Sequence, residues 1–332
     1  MRRAYRWNVV LLCVAAATSA SSAALAEQIG WLDSKHRLFL QSGQVKLASQ
    51  GSELAMPGNP AARWIDREDL RLITLPTPPF HYQLFTPTHN QATHRLKLRL
   101  INEKPNSITD DSQWLQRNDL ALPIYNVPNP FQNSLGDTPD FIPKKFRGQI
   151  LVTAIRFTNT ILLIYGINFG QNRYLISVDP NSGEYRYGFD FFNYSYSRQY
   201  PEQEKEFINQ RIYWAFEENN ILYVSHAHGT YAKSSMGLNA YITAIDIESG
   251  KVLWRTKPLV SNSINFEIVG DTIITGYGFT DEPDYLYLLD KKTGEIYEQV
   301  KLKSGPSYIL LKENRLHVRT YNTDYLFQID GS

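Results

Sequence analysis

One segment recurs in the second half of the chain and restricts the possible fold more than any other feature. Three copies read RYLISVDPNSGEYRY, AYITAIDIESGKVLW and DYLYLLDKKTGEIYE, and they begin at Arg173, Ala240 and Asp284. A shortened fourth copy, DYLFQIDGS, begins at Asp324. In every copy a tyrosine precedes an aspartate by five residues. A recurring segment of this kind predicts that one supersecondary unit is used several times in the fold.

The centre of each full copy has the composition of a tight turn between two strands. An aspartate carboxylate can accept hydrogen bonds from backbone N–H groups two or three residues later, and a glycine supplies the positive φ that such a turn requires. The sequence therefore predicts a hairpin in each copy. We assign these aspartates and glycines to turn formation rather than to catalysis: Asp179, Gly183, Asp246, Gly250, Asp290 and Gly294.

Two strand-like segments precede each hairpin, which indicates a unit of four strands. The turn aspartates and Asp330 are 67, 44 and 40 residues apart, and a four-stranded propeller blade takes about 40–45 residues. We interpret the polar, tyrosine-rich residues 193–206 as a surface insertion within the longest spacing. The predicted strands are Ile150–Phe157, Asn159–Tyr165, Arg211–Glu217, Asn220–Ser225, Asn265–Val269, Asp271–Thr275, Ser307–Leu311 and Asn314–Arg319.

The pattern D-x-x-[ST]-G-[KE] before an aromatic residue resembles the PQQ-like, or quinoprotein-like, propeller repeat. The copy Asp246–Trp254 is the most similar, and the resemblance extends from about Ile150 to Asp330. It implies an all-β fold, a β-propeller of four-stranded blades, with four recognisable blades in residues 150–332. It does not imply one activity, because such repeats serve quinone-dependent dehydrogenases and non-catalytic scaffolds alike.

Residues 27–149 depart from this repeat and contain many prolines. A segment of this length has room for about three degenerate blades, which would give seven in all. The alternative is a cap or a separate domain beside a smaller propeller. The last repeat lacks a fourth strand, and Arg37–Leu47 is our candidate to supply it. The other strand-like pieces are Leu70–Leu75, His81–Thr86 and His94–Ile101.

Residues 1–26 have the pattern of a secretory signal peptide. Arg2, Arg3 and Arg6 precede the apolar run Val9–Ala17, and a stretch of small residues ends at Ala26. The apolar run is too short to cross a bilayer, although an N-terminal membrane anchor is the alternative. We expect an exported protein, in a periplasm or outside the cell.

Cysteine content and charge exclude several classes of function. Cys13, the only cysteine, lies in the signal segment, so the mature chain has neither a disulfide nor a thiolate metal site. Without the three signal arginines the formal charge changes from +1 to −2, which gives no electrostatic footprint for nucleic acid. No later apolar run approaches the length of a membrane span.

The blade geometry brings the long connections to one end of the molecule. Antiparallel strands alternate in direction, so the loops between second and third strands lie opposite the aspartate turns. Functional residues concentrate in long loops on a rigid frame. We call the end formed by these loops the loop face: Gly166–Arg173, His226–Asn239, Gly276–Asp284 and Thr320–Thr323.

His226 and His228 are the first candidates on the loop face. Residues at i and i+2 of a strand point to the same side, so these imidazoles can ligate one divalent metal ion. Asp281, Glu282 or Asp284 would supply the third ligand. In a second interpretation both histidines hydrogen-bond within a loop that plugs the channel mouth. In a third they line a metal-free pocket with Tyr231 and Lys233.

The other candidate ligand-binding residues are Asn168, Tyr277, Asp281, Arg319 and Tyr321. Tyrosine and arginine side chains suit a protein, peptide or glycan partner. The mature chain has no Gly-x-Ser-x-Gly nucleophile motif. We therefore expect a non-catalytic binding module without a cofactor. The alternatives are a metal-dependent hydrolase or lyase at His226 and His228, and a quinone-dependent oxidoreductase.

Overall fold

A computed structural model describes residues 36–41, 44–49, 70–78, 95–108, 110–127, 134–195 and 208–331. The chain divides into two compact units, Met1–Gly58 and Asn59–Ser332. In the first unit, β1 (His36–Gln41) pairs antiparallel with β2 (Gln44–Ser49). The predicted signal peptide, the predicted strand His81–Thr86 and most of the predicted insertion lie outside the described residues.

The second unit consists almost entirely of β-structure. Three strands and one short helix precede the repeats: β3 (Ile73–Thr74), β4 (Lys97–Pro105), α1 (Asp111–Arg117) and β5 (Lys145–Phe146). None of the described helices is both long enough and apolar enough to cross a bilayer.

The repeats fold into four antiparallel sheets, which we number as blades 1 to 4 in chain order. Blade 1 contains β6 (Gln149–Arg156), β7 (Ile161–Asn168), β8 (Gln171–Val178) and β9 (Tyr185–Asp190). After the short helix α2 (Phe192–Ser195), blade 2 contains β10 (Arg211–Glu218), β11 (Ile221–Ala227), β12 (Tyr241–Asp246) and β13 (Val252–Arg255). Blade 3 contains β14 (Glu267–Val269), β15 (Thr272–Tyr277), β16 (Tyr285–Asp290) and β17 (Ile296–Lys301). Blade 4 contains β18 (Pro306–Lys312), β19 (Arg315–Thr320) and β20 (Thr323–Asp330).

The three complete hairpins form at the predicted positions. In each, an aspartate Oδ1 accepts a backbone N–H at 2.8 Å, as Asp246 does from Ser249. Gly183, Gly250 and Gly294 have φ between +68° and +72°, the left-handed region in which glycine carries no Cβ penalty. A β-bulge follows each turn at the same place and leaves Arg186, Leu253 and Tyr297 out of the ladder. The repeat therefore extends to local backbone irregularities.

Blade 4 is completed by β4, which pairs antiparallel with β20 from Lys97 opposite Asp330 to Pro105 opposite Thr323. Our prediction that Arg37–Leu47 supplies this strand was wrong. Leu98 packs against the apolar cluster that contains Phe327, and Arg99 Nε donates to Asp330 Oδ2 at 3.2 Å. These contacts fix the register of β4 beside β20.

Successive blades pack face to face around a shared core. The Phe157 ring of blade 1 meets the Phe216 ring of blade 2 edge-on at 4.9 Å. Gly294 of blade 3 lies so close to the Trp254 ring of blade 2 that a Cβ would overlap it. Asn265 hydrogen-bonds to the backbone of Ile309 in blade 4. One cluster of buried apolar residues contains members from all four blades, so the arrangement is propeller-like.

Residues 110–127 connect blade 4 to blade 1. Helix α1 contacts blade 4, where the Trp114 ring lies 6.1 Å from that of Tyr308. The following residues pair with β6 of blade 1, since Arg156 N donates to the carbonyl of Pro123 at 2.6 Å. The sequence did not predict this helix. The segment links the last described blade to the first.

The described parts of residues 70–149 contain no four-stranded sheet of their own. Strands β3 and β5 extend the sheet of blade 1, and β4 belongs to blade 4. Four blades are therefore described, and the total of seven stays a prediction.

Candidate functional site

The loop face carries the most varied connections of the described chain. The β7–β8 and β19–β20 connections are two-residue turns, whereas the β11–β12 connection spans residues 228–240. The latter contains a 3₁₀ helix, Ala232–Ser235. Residues that follow β9 and precede β10 lie at the same end, because these strands also run between the two faces.

His226, in β11, is enclosed inside this end of the molecule. Its side chain is 1% exposed, its Nε2 lies 2.7 Å from Thr243 Oγ1, and its ring stacks on Tyr194 at 4.9 Å. Burial, with a smaller contribution from the Arg255 charge, holds the pKa of His226 well below its ordinary value. The imidazole is therefore neutral at physiological pH.

His228, two residues later and just after the end of β11, has similar surroundings. Its Nε2 lies 2.7 Å from Ser235 Oγ in the 3₁₀ helix, and its backbone N–H donates to Asn239 Oδ1 at 2.8 Å. Burial lowers the pKa of His228 to about 4, against a smaller opposing effect of the Thr230 backbone. Nε2 of each histidine is therefore hydrogen-bonded, whereas Nδ1 of each is buried without a partner in the described chain, and the plug interpretation stays a prediction.

A metal role for these histidines stays a prediction. Within the described ranges, no group of three or more His, Cys, Asp or Glu side chains is arranged to hold a metal ion. Glu282, one of the three predicted third ligands, accepts from Ala232 N at 2.8 Å and hydrogen-bonds to Tyr277. Its carboxylate therefore joins the loop of blade 2 to that of blade 3.

The remaining candidates divide between the interior and the surface. Tyr277 is buried beside Glu282, while Lys233 and Asp281 are exposed. Tyr231 packs edge-on against Phe279 of blade 3 at 4.9 Å, and Lys233 Nζ lies 5.1 Å from the Tyr231 ring. The loops of blades 2 and 3 are therefore brought together. The ligand-binding role of these residues stays a prediction.

Arg319 and Tyr321 are two residues apart but lie in opposite environments. Tyr321 is 87% exposed at the β19–β20 turn, whereas Arg319 is 2% exposed. Arg319 Nε donates to Asp111 Oδ1 at 2.6 Å, its Nη1 lies 3.3 Å from Asp324 Oδ1, and its Nη2 donates to the carbonyl of Ile108. These bonds direct Arg319 inward, where it holds the segment around α1 to blade 4.

Two arginines on blades 1 and 2 lie against aromatic rings at the loop face. Arg173 lies 4.6 Å from the Phe192 ring centroid, and Arg211 lies 4.7 Å from the Phe169 centroid and 4.5 Å from that of Tyr213. A β-bulge between Ile212 and Trp214 leaves Tyr213 out of the ladder. We call these five residues the aromatic–arginine patch.

The two arginines differ in their ion pairing. Arg173 Nε and Nη2 donate to the two carboxylate oxygens of Asp190, each at 2.6 Å. Arg211 donates to the Tyr213 hydroxyl at 2.7 Å, and no carboxylate of the described chain forms an ion pair with it. Asn168, a sequence candidate, lies beside Arg211, since both flank Gly170.

Sequence reasoning missed Arg211 and the exposed phenylalanines of this patch. A signal for one of them was present, because Ile167 and Phe169 are large apolar residues within an otherwise polar hairpin connection. No sequence signal connects Phe169 with Arg211, since they belong to different blades.

A groove of about 510 Å³ lies at the opposite end, between blades 1 and 2. Its charged lining includes Arg186, which makes an ion pair of 2.9 Å with Glu217, and the Tyr187 hydroxyl donates to the same carboxylate at 2.8 Å. The charge and hydrogen-bonding capacity of these lining groups are therefore used within the chain.

Comparisons with known proteins show no related family. No protein-family model matches the chain, and no curated protein matches it. Solved structures that align with it include the computationally designed Ika4 protein, at 12% identity over 52% of this chain and 87% of that one, with a TM-score of 0.33. BamB from Moraxella catarrhalis aligns at 13% identity over 59% of this chain and 64% of BamB, with a TM-score of 0.33. Sqt1 from Saccharomyces cerevisiae aligns at 12% identity over 52% of this chain and 42% of Sqt1, with a TM-score of 0.35. The chain thus spans less than two thirds of BamB and of Sqt1.

Proposed function

We propose that this protein is an exported, non-catalytic propeller that binds a protein or peptide partner through its loop face. The loop face would belong to the seven-bladed ring that the repeat length predicts, and four of those blades are described. A protein or peptide fits better than the other expected partner class, a glycan, because most of the exposed large apolar side chains of the described chain lie at this end.

The distribution of exposed apolar side chains carries the proposal. Eight large apolar residues of the described chain are exposed, and five of them lie at the loop-face end. Contiguous apolar surface on a monomer marks an interaction site more often than scattered residues do. The five are Ile167, Phe169, Phe192, Met236 and Tyr321, and four of these belong to blades 1 and 2 or the helix that joins them.

The chemistry of the same region supports a protein interface. Aromatic residues and arginine are enriched among the side chains that contribute most to protein–protein binding. The aromatic–arginine patch combines both types, and the backbones of its two arginines lie in the paired strands β8 and β10. Side chains held in this way lose little conformational entropy when a partner binds.

The experiment compares two double variants of the full chain. Phe169→Thr with Phe192→Thr removes exposed rings from the loop face, and Leu100→Thr with Ile101→Thr removes exposed apolar side chains from β4 as the matched control. Each protein is used as bait in cells of its source, and the affinity of every captured protein is then measured by calorimetry.

We expect a partner that binds the wild type and the β4 variant equally, and that binds the phenylalanine variant at least about tenfold more weakly. Partners that bind both double variants with the affinity of the wild type would show that the loop face is not the binding surface.

A further inference from the structure

Arg211 is held rigidly at the boundary between blades 1 and 2. Its guanidinium lies between the rings of Phe169, from the β7–β8 turn, and Tyr213, from β10. Stacking of this kind is favourable for arginine because its planar cation matches an aromatic face. The cation is therefore fixed in orientation before any partner arrives.

Most of the hydrogen-bonding capacity of Arg211 is unused. A guanidinium has five N–H donors, and the Tyr213 hydroxyl is the one acceptor that the described chain provides. Nε is buried without an acceptor inside the stack. Nη1 has no acceptor in the described chain either, and it is not fully buried, so it retains access to solvent.

Two glycines leave the outer edge of this guanidinium accessible. A methyl group at Gly170 would lie 3.6 Å from Arg211 Nη1, and one at Gly229 would lie 3.7 Å from Nη2. Any larger side chain at these positions would cover the cation. The gap between the loops of the two blades therefore opens onto the guanidinium.

Arg173, in the same patch, provides a reference for a completed arrangement. Arg173 lies against the Phe192 ring as Arg211 lies against the Phe169 ring. Two guanidinium nitrogens of Arg173, Nε and Nη2, donate to the two carboxylate oxygens of Asp190. Arg211 has the ring but lacks the carboxylate. A carboxylate from outside the chain would complete it at Nη1, the donor that the described chain leaves without an acceptor.

We propose that Arg211 binds a carboxylate of the protein or peptide partner, next to an apolar side chain of that partner that contacts Phe169. This inference rests on the proposed function, because it specifies the chemistry of the same surface. The mature chain carries no excess positive charge, which favours a single carboxylate over a polyanion such as nucleic acid.

The test uses three probes and four proteins. The probes are the peptides acetyl-Leu-Glu-Phe-amide and acetyl-Leu-Gln-Phe-amide, which differ only in the carboxylate, and acetate as a free anion. The proteins are the full-length wild type, Arg211→Gln, Arg211→Lys and Arg315→Gln. The last variant is the control, because Arg315 is an exposed arginine of β19. Binding is measured by calorimetry and by the ¹⁵N–¹H resonance of the Arg211 Nε–H, whose burial protects it from exchange.

We expect the glutamate peptide to bind the wild type at least about tenfold more tightly than the glutamine peptide and to shift the Arg211 Nε–H resonance. Arg211→Gln should abolish this preference, Arg211→Lys should reduce it because the flat fork is lost, and Arg315→Gln should retain it. The comparison of peptides on the wild type does not depend on the folding of any variant.

Equal binding of the two peptides by the wild type would overturn the inference. Acetate that binds as tightly as the glutamate peptide would also overturn it, since the site would then take a small free anion instead of a peptide. A cellular partner that is lost with Phe169→Thr and Phe192→Thr but retained with Arg211→Gln would contradict the carboxylate assignment and leave the proposed function standing.

Discussion

Glu267 shows how a single residue can make the stability of this fold depend on pH. It lies in β14, near the backbone of Leu311 in β18, and Asn265 Nδ2 is 3.5 Å from its Oε1. Burial raises the pKa of Glu267 from 4.5 to about 7, against a smaller opposing effect of the hydrogen bond from the Leu311 backbone. The folded protein therefore favours the protonated form.

The sign of the resulting effect follows from the raised pKa. The folded state binds the proton more tightly than the unfolded state, so stability falls as pH rises from 4.5 through about 7. Glu267→Gln removes this charge. We therefore expect the free energy of unfolding of the variant, relative to that of the wild type, to be higher at pH 8 than at pH 4.5 by about 2 kcal/mol. Urea denaturation at both pH values checks this, with the exposed Glu295→Gln as the control. A stability difference that is the same at both pH values would contradict the prediction.

The sequence predicted at which end of a blade a residue lies, but it could not predict whether the side chain is buried or exposed there. Arg319 and Tyr321 were both placed at the loop face, yet one is buried and the other almost fully exposed. The difference arises because Asp111 and Ile108, which hold Arg319, come from a segment about two hundred residues earlier in the chain. Arg211 was missed for the same reason, since its aromatic neighbour Phe169 belongs to another blade.

At the scale of elements, asparagine side chains join neighbouring blades. Asn172 in β8 donates from Nδ2 to the carbonyl of Ile212 at 3.0 Å, and its Oδ1 accepts from Ile212 N at 2.7 Å. Asn265 makes the same two bonds with the backbone of Ile309. In both places a buried side-chain amide donates to and accepts from the backbone of one residue, as a neighbouring strand would. These bonds hold the first strand of the following blade in position.

Replacing Asn172 by leucine should therefore destabilise the fold strongly. Asn172→Leu leaves a buried N–H and a buried carbonyl of Ile212 unpaired, and we expect a loss of about 2–4 kcal/mol. Denaturant unfolding measures the loss, and hydrogen exchange of the Ile212 amide should become faster. Asn181→Ala, at an exposed turn, is the control. If Asn172→Leu unfolds at the same denaturant concentration as that control, the bridging role is wrong.

Regular elements were predictable because their signal is local. The predicted strand Arg211–Glu217 is observed as Arg211–Glu218, and Ile150–Phe157 as Gln149–Arg156. Helix α1 was not predicted, since its seven residues are too few for a helical period to be distinguished. The assignment of β4 to blade 4 was also beyond the sequence, because any apolar strand could pair with β20.

At the scale of the whole molecule, Arg319 controls how the segment around α1 is attached. Its guanidinium contacts Asp111, Asn106 and the carbonyl of Ile108, all of which precede the repeats. It also lies 5.4 Å from the Trp114 ring and so supports the packing of α1 on blade 4. Through residues 120–127 the same segment reaches blade 1.

Arg319→Met should detach this segment. The substitution leaves Asp324 buried without its cation, and removal of one partner of a buried pair costs about 3–5 kcal/mol. We expect the variant to lose stability in this range and to be cleaved by protease within residues 110–119, where we expect the wild type to resist cleavage. Arg315→Met, in the same strand but exposed, should behave as the wild type. Equal protease resistance of the two variants would show that Arg319 does not attach the segment.

The pairing of β4 with β20 has a consequence for synthesis on the ribosome. Strand β4 emerges before any of the repeats, but its neighbour in the sheet is completed only when Asp330 has been made. Blades 1 to 3 can form from consecutive residues during translation, whereas blade 4 cannot acquire its outermost strand, β4, until β20 has been made. A nonsense mutation just before Thr323 would therefore remove β20 and leave β4, although fully synthesised, without a strand to pair with.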